Sequence, residues 1–296
     1  MRIAITGSHG LIGTALITRL VALGHDVVRL ARSSAGPDDI AWDPSAGRLE
    51  ASDLIGIDAV VNLAGAGIGD HRWTDDYRHE VKESRTKSTA LIAESIAKIE
   101  GGPTVLLSGS AIGFYGDRED EELNESSTSG DGFLAEVVRE WEASTAAAPP
   151  STRVVHLRSG IVLAGHGGAL AKMLPLFKLG VGGRFGSGRQ WMSWISLTDE
   201  VGAIVHLLSS ELAGPVNLTA PAPVRNADFA DTLGDVLHRP TFLPVPAFGP
   251  KLLLGAERAE SLLFESQRVR PAALLGDGYE FTHPDLAGAL RAELDR

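Results

Sequence analysis

Residues 1–13, MRIAITGSHGLIG, decide how the rest of the chain is read. Arg2–Thr6 is a short apolar run that leads directly into glycines at 7, 10 and 13, and an amphipathic run follows over Ile12–Leu23. Strand, glycine turn, helix is the order that brings a backbone up against a dinucleotide pyrophosphate. In that reading Gly7 makes the tight turn, Gly10 lets the backbone approach phosphate, and Gly13 allows close packing of the helix. Ser8, His9, Leu11 and Ile12 complete the loop, with the Ser8 and His9 side chains placed to hydrogen-bond phosphate. The same glycines would also serve a purely structural turn, so the reading needs support from the rest of the chain.

That support is an alternation of elements. Asp26–Ala31, Ile40–Trp42, Ala59–Leu63, Thr104–Ser108 and Arg153–Arg158 read as strands. Asp76–Ile99 and Phe133–Ala147 read as helices between them, and Gly24 is the expected stop of the first helix. The cadence predicts an α/β fold: a Rossmann-type, doubly wound parallel sheet covered on both faces, with its loops gathered at the C-terminal strand edge. The second half is less regular. Helices are expected at Ala169–Leu179, Leu197–Ser209, Asn226–Leu237, Leu252–Phe264 and Asp285–Leu294, with a strand at Gly214–Leu218. The expected division is a nucleotide-binding domain over residues 1–165 and parts of 189–220. A smaller substrate domain takes 166–188 and 221–296.

Composition removes several function classes. The formal charge of -11, from 27 basic and 38 acidic residues, weighs against nucleic acid or an anionic membrane as a general partner. There is no cysteine, which excludes disulfides, thiolate nucleophiles and cysteine metal sites. The histidines and carboxylates show no ligand spacing such as HExxH, so no metal is expected. No signal peptide and no membrane span are read, and a cytoplasmic protein is expected.

The end of the second strand discriminates between dinucleotides. An acid there would hold the ribose diol and repel a 2′-phosphate. This chain has Arg32, followed by Ser33 and Ser34. A guanidinium with hydroxyls beside it suits a phosphomonoester, so the expected cofactor is NADP. Asp43 is placed to approach the adenine. Asn62, Leu63, Ala64 and Gly65 follow the next strand, where a ribose would pass. Lys82 and Arg85, with Arg72, form a basic group for a cofactor or substrate phosphate, and a solvated charged face is the alternative. Arg158 stands near the edge of the last central strand and is read toward the cofactor.

TGSHGLIG, VVNLAGAGI, SGSAIGFYG, SWISLTDEV and GPVNLTAP together resemble the extended short-chain dehydrogenases/reductases. More closely, the chain is similar to the nucleoside-diphosphate-sugar epimerase-like proteins that carry a C-terminal domain of unknown function, DUF1731, here from about residue 248. The resemblance covers essentially the whole chain. It implies an NADP-binding Rossmann domain, a smaller substrate domain, and a small-molecule substrate such as a sugar or nucleotide-sugar. Monomer and homodimer are both compatible with it.

Relatives in the extended family use a Ser or Thr with a Tyr and a Lys four residues apart. Ser108 or Ser110 occupies the serine place, and Ser110 is preferred because it stands just before Ala111. The Tyr-Lys pair is absent: Phe133 and Val137 stand at that spacing, and neither can transfer a proton. Tyr115 matches a substrate-loop tyrosine of sugar epimerases and is a candidate substitute acid, or an aromatic packed against the loop. Glu136 is a further candidate, with a solvated helix face as its alternative. Phe185, Gly186, Gln190, Trp191 and Trp194 would wall a polar ring, one of the two tryptophans being core. Asp199 is read as a structural residue at a helix start. Three readings remain open: an NADP-dependent oxidoreductase or epimerase-like enzyme, a catalytically degenerate NADP(H)-binding sensor or partner-binding protein, and a carbohydrate-binding or structural protein that binds no nucleotide.

Overall fold

The computed structural model describes residues 1–32, 36 and 39–295. Ser33 and Ser34, expected beside the cofactor phosphate, lie outside the described residues. The first elements are β1 (Arg2–Thr6), α1 (Leu11–Ala22), β2 (Asp26–Ala31), β3 (Ile40–Asp43), β4 (Arg48–Leu49), β5 (Ala59–Asn62), α2 (Asp75–Ala97), β6 (Val105–Ala111), β7 (Glu122–Leu123), α3 (Phe133–Ala143) and β8 (Arg153–Ser159). They are followed by β9 (Ile161–Ala164), α4 (Gly168–Lys178), β10 (Trp191–Met192), β11 (Trp194–Ser196), α5 (Leu197–Ser209), β12 (Gly214–Leu218), β13 (Val224–Arg225) and α6 (Asn226–Leu237). The last are α7 (Phe248–Leu254), α8 (Ala256–Ala259), β14 (Arg268–Val269), α9 (Ala272–Gly276) and α10 (Leu286–Glu293).

The chain forms two units. The first comprises Met1–Ser110, Val137–Arg158 and Val201–Val216. Its sheet runs in the order β12-β8-β6-β5-β1-β2-β3-β4. The pairs β1–β2, β1–β5, β2–β3 and β5–β6 are parallel, and β3–β4 is an antiparallel edge hairpin. Ile3, Ala4 and Ile5 are wholly buried, as are Val60 and Val61, because a parallel strand between helix layers has no solvent face. After β1 the chain builds β2 and β3 on one side, then crosses back to place β5 on the other. The switch point of the sheet therefore lies at the ends of β1 and β5, where Thr6 pairs with Asn62. Gly24, at φ +79°, ends α1 as expected, with the His25 N–H donating to the Leu20 carbonyl.

The second unit comprises Ala111–Glu136, Ser159–Glu200 and Asn217–Arg296. Its strands form two-stranded ladders: β9 with β11 and β7 with β14 in parallel, β10 with β13 antiparallel. One core gathers Leu170, Leu174, Phe177, Trp194, Phe229, Leu233 and Leu290. The helix expected over Leu252–Phe264 is interrupted: Gly255 takes φ +91°, which ends α7 and starts α8 in a new direction. Among the described residues no helix is long and apolar enough to cross a membrane.

Candidate active site

The loop after β1 is closed by backbone contacts that leave no room for side chains. Gly7 has φ +66°, and a Cβ there would stand 2.6 Å from the Leu63 carbonyl oxygen. A Cβ on Gly13 would stand 2.3 Å from the Gly7 oxygen. Gly10 is the N-cap of α1 and makes no side-chain cap bond. With no side-chain cap, the first-turn amides of α1, on Leu11, Ile12 and Gly13, lie at the positive end of a helix beside this tightly closed loop. Ser8 is nearly buried, with Oγ 3.3 Å from His9 Nδ1, while His9 itself is exposed.

The switch point is fixed by buried hydroxyls and one amide. Thr6 Oγ1 donates to Asn62 Oδ1 at 2.7 Å and accepts from the amides of Leu63 and Ala64 at 3.0 and 3.1 Å. Asn62 Nδ2 donates to Thr89 Oγ1, which also accepts from Trp141 Nε1. Leu63, Ala64 and Gly65 are thereby held beside the glycine loop.

At the end of β2 the two arginines part. Arg29 makes a bidentate pair with Asp39 at 2.9 and 3.0 Å, while Arg32 is exposed. Asp43 builds the β3–β4 turn. Its carboxylate accepts from Ser45 Oγ at 2.5 Å and pairs with Arg48 at 2.9 Å, and these contacts hold its pKa at about 2.

Ser110 belongs to β6 itself rather than to the following loop. Its hydroxyl donates to Glu142 Oε1 at 2.6 Å. Arg158, buried on β8, grips the same carboxylate from Nε and Nη2, both at 2.8 Å. His156 Nδ1 stands 3.9 Å from Glu142 Oε2, and its Nε2 is 3.0 Å from Thr145 Oγ1. Burial pushes the Glu142 pKa up, but the bonds from Arg158 and Ser110 outweigh it, so the group lies below the usual carboxylate range. Burial drives the His156 pKa down. Arg158, read from sequence toward the cofactor, is thus the counter-ion of Glu142. Ser108, wholly buried, pairs with Asn62 in the sheet register.

Other candidates are held elsewhere. Lys82 bridges to Glu140 at 2.5 Å. Glu136 is exposed in the first turn of α3, and Val137 is buried in the sheet-facing stripe that also holds Trp141. In the second unit Tyr115 is wholly buried beside Ile112, Leu123 and Val269, and its hydroxyl donates to Asn217 Oδ1 at 2.7 Å. Trp194 is core, while the guanidinium groups of Arg225 and Arg268 both stand over the Trp191 ring, 4.1 and 4.9 Å from its centroid. Asp199 accepts from Ser196 Oγ and from the amides of Thr282 and His283, which is a structural role. Among the described residues no group of three or more potential ligands could hold a metal ion.

Glu142 escaped the sequence reading. The sequence offers only that an acidic side chain in the last turn of a helix opposes the helix dipole; its enclosure and its cation come from tertiary contacts.

Residues 3–218 match the NAD dependent epimerase/dehydratase family, and residues 245–293 match DUF1731, a domain of unknown function. The chain belongs to the NAD dependent epimerase/dehydratase family. Within it, the chain is 40% identical to the epimerase family protein ML0860 of Mycobacterium leprae, over 97% of this chain and 94% of the relative. It is 39% identical to the human epimerase family protein SDR39U1, over 98% of this chain and 99% of the human one. A crystal structure of human SDR39U1 (isoform 2) with NADPH superposes with a TM-score of 0.93 at 38% identity, covering 100% of this chain and 99% of that one. The UDP-glucose 4-epimerase of Thermus thermophilus, in complex with NAD, shares the fold: TM-score 0.78 at 17% identity, covering 100% and 98%.

Proposed function

We propose that this member of the family is an NADP(H)-dependent oxidoreductase or epimerase-like enzyme for a small polar hydroxyl or carbonyl compound, of which a sugar or nucleotide-sugar is one class. The observation that carries the reading is the uncapped N-terminus of α1 behind the tightly closed Gly7–Gly13 loop at the switch point of the sheet. The NADPH in the crystal structure of the human relative supports it. The loop and the first-turn amides of α1 fit a pyrophosphate, Arg32 fits a 2′-phosphate, and Asn62–Gly65 would border a ribose. When bound, the cofactor supplies a hydride or takes one up.

Proton handling falls to Ser110 and Glu142. Ser110 gives its one proton to Glu142, so its oxygen offers lone pairs and accepts a hydrogen bond from a substrate hydroxyl. As that hydroxyl loses its proton to Ser110 Oγ, the serine proton passes to Glu142. Arg158 holds the carboxylate in place and ionised beforehand. This arrangement asks nothing of Phe133 and Val137.

A second reading is favoured by one observation. The tyrosine hydroxyl nearest in sequence, on Tyr115, is buried and bonded to Asn217, so a sensor that binds cofactor without turnover would also account for the missing Tyr-Lys pair. The test follows nicotinamide oxidation or reduction with purified protein across a panel of sugars, nucleotide-sugars and simple carbonyl compounds. Turnover that falls at least about a hundredfold in both Ser110→Ala and Glu142→Gln supports the first reading. Tight cofactor binding with no turnover across the panel selects the second.

A further inference from the structure

The helix α3 lacks a lysine where the extended family carries one, yet a cation stands against that helix. Arg85, on α2, lays its guanidinium over the Trp141 ring, 5.1 Å from the ring centroid. Trp141 is one turn beyond Val137 on the same stripe of α3. The indole platform is fixed: Nε1 donates to Thr89, and a Cβ on Gly109 would stand 2.8 Å from the ring. Arg85 also touches the segment after β5, since a Cβ on Gly65 would lie 3.3 Å from its Cγ and Cζ. One donor, Nη1, is used on the Val81 carbonyl at 2.9 Å. Among the described residues no carboxylate pairs with it. Burial lowers its pKa to about 10, which leaves it charged at neutral pH.

The sheet order says which half of a dinucleotide would meet this cation. The pyrophosphate belongs at the switch point between β1 and β5. Arg32 stands at the end of β2, on one side of β1, so the phosphoadenosine half runs that way. Gly65 and Arg85 stand beyond β5, on the other side, where the nicotinamide half must run. Resting on the NADP(H) reading, we infer that Arg85 is the cation that binds the ribose of the nicotinamide half, a binding residue supplied from α2 in place of a lysine on α3. A guanidinium on an aromatic face, with donors left over, suits the vicinal hydroxyls of that sugar.

The test is calorimetric binding of three probes: NADPH, 2′-phospho-ADP-ribose, which keeps the second ribose, and 2′,5′-ADP, which lacks it. Arg85→Met is expected to weaken NADPH and 2′-phospho-ADP-ribose by about tenfold or more, the size of a lost charged hydrogen bond, and to leave 2′,5′-ADP unchanged. Arg85→Lys is expected to recover most of the loss. It also serves as the readout if the methionine variant unfolds, through the ratio of NADPH to 2′,5′-ADP affinity against Arg85→Gln. Equal weakening of all three probes, or none, overturns the inference while leaving the NADP(H) reading standing. Failure of the unaltered protein to bind any probe overturns both.

Discussion

Consecutive residues of β8, Arg158 and Ser159, each serve a glutamate, the first largely and the second wholly withdrawn from solvent, and the two glutamates end up in different protonation states. In the first unit Glu142 accepts from Ser110 at 2.6 Å and from two nitrogens of Arg158 at 2.8 Å. In the second unit Glu200 accepts from Ser159 at 2.5 Å, and its Oε2 has no partner among the described residues. Glu142 is held ionised. Full burial pushes Glu200 up to about 8, so it is largely protonated at neutral pH. A serine bond of nearly the same length is present in both, so the serine does not decide the charge. A built-in cation does. In the proposed reaction the ionised glutamate is the one with a use for its charge, because only a carboxylate could take a proton from Ser110.

The largest way to break the contrast is Arg158→Met, which leaves the largely enclosed Glu142 without its counter-ion. A loss of about 3–5 kcal/mol in denaturant unfolding at neutral pH is expected, shrinking as acid protonates the glutamate. A loss below about 1 kcal/mol would mean that Arg158 does not set the charge.

Next in size is the pH dependence of stability, where the two acids act with opposite signs. Folded Glu200 keeps a proton that the unfolded chain releases above its ordinary value of 4.5. Its contribution to stability therefore falls as pH rises from there toward about 8, by up to roughly 1.4 kcal/mol per pH unit. Folded Glu142 is depressed, so its contribution is present above the ordinary value and is lost as pH falls through the folded one. Glu200→Gln should flatten the slope between about pH 4.5 and 8 in chemical unfolding measured across pH. An unchanged slope would contradict a protonated Glu200.

The smallest effects sharpen the comparison. Ser110→Ala and Ser159→Ala should each cost about 1–3 kcal/mol, the desolvation of one lost partner. Carboxyl-carbon NMR titration should show Glu142 still ionised at neutral pH in the first variant and Glu200 titrating still higher in the second. Glu142 protonated at neutral pH after loss of Ser110 would place the serine, not the arginine, in control.

The first half of the fold was legible because its constraints are local. Buried parallel strands need unbroken apolar runs, and Gly7 and Gly13 stand where any Cβ would strike backbone. The glutamate under Ser110 was not legible, since its partners lie 32 and 16 residues away and pairing at that range leaves no periodic mark. The burial of Tyr115 was likewise hidden, because it depends on Leu123, Val269 and Asn217 coming together from distant segments. The break at Gly255 could have been read from the glycine inside an apolar stretch, but amphipathic spacing on both sides masked it.

The measurement that bears most directly on the account is calorimetric titration of the purified protein with NADPH and, separately, NADH. Saturable one-to-one binding of NADPH is expected, with NADH weaker by about tenfold and the preference lost in Arg32→Ala. Absence of binding by either dinucleotide would contradict the NADP(H) reading, because the glycine loop would then be a turn and nothing more.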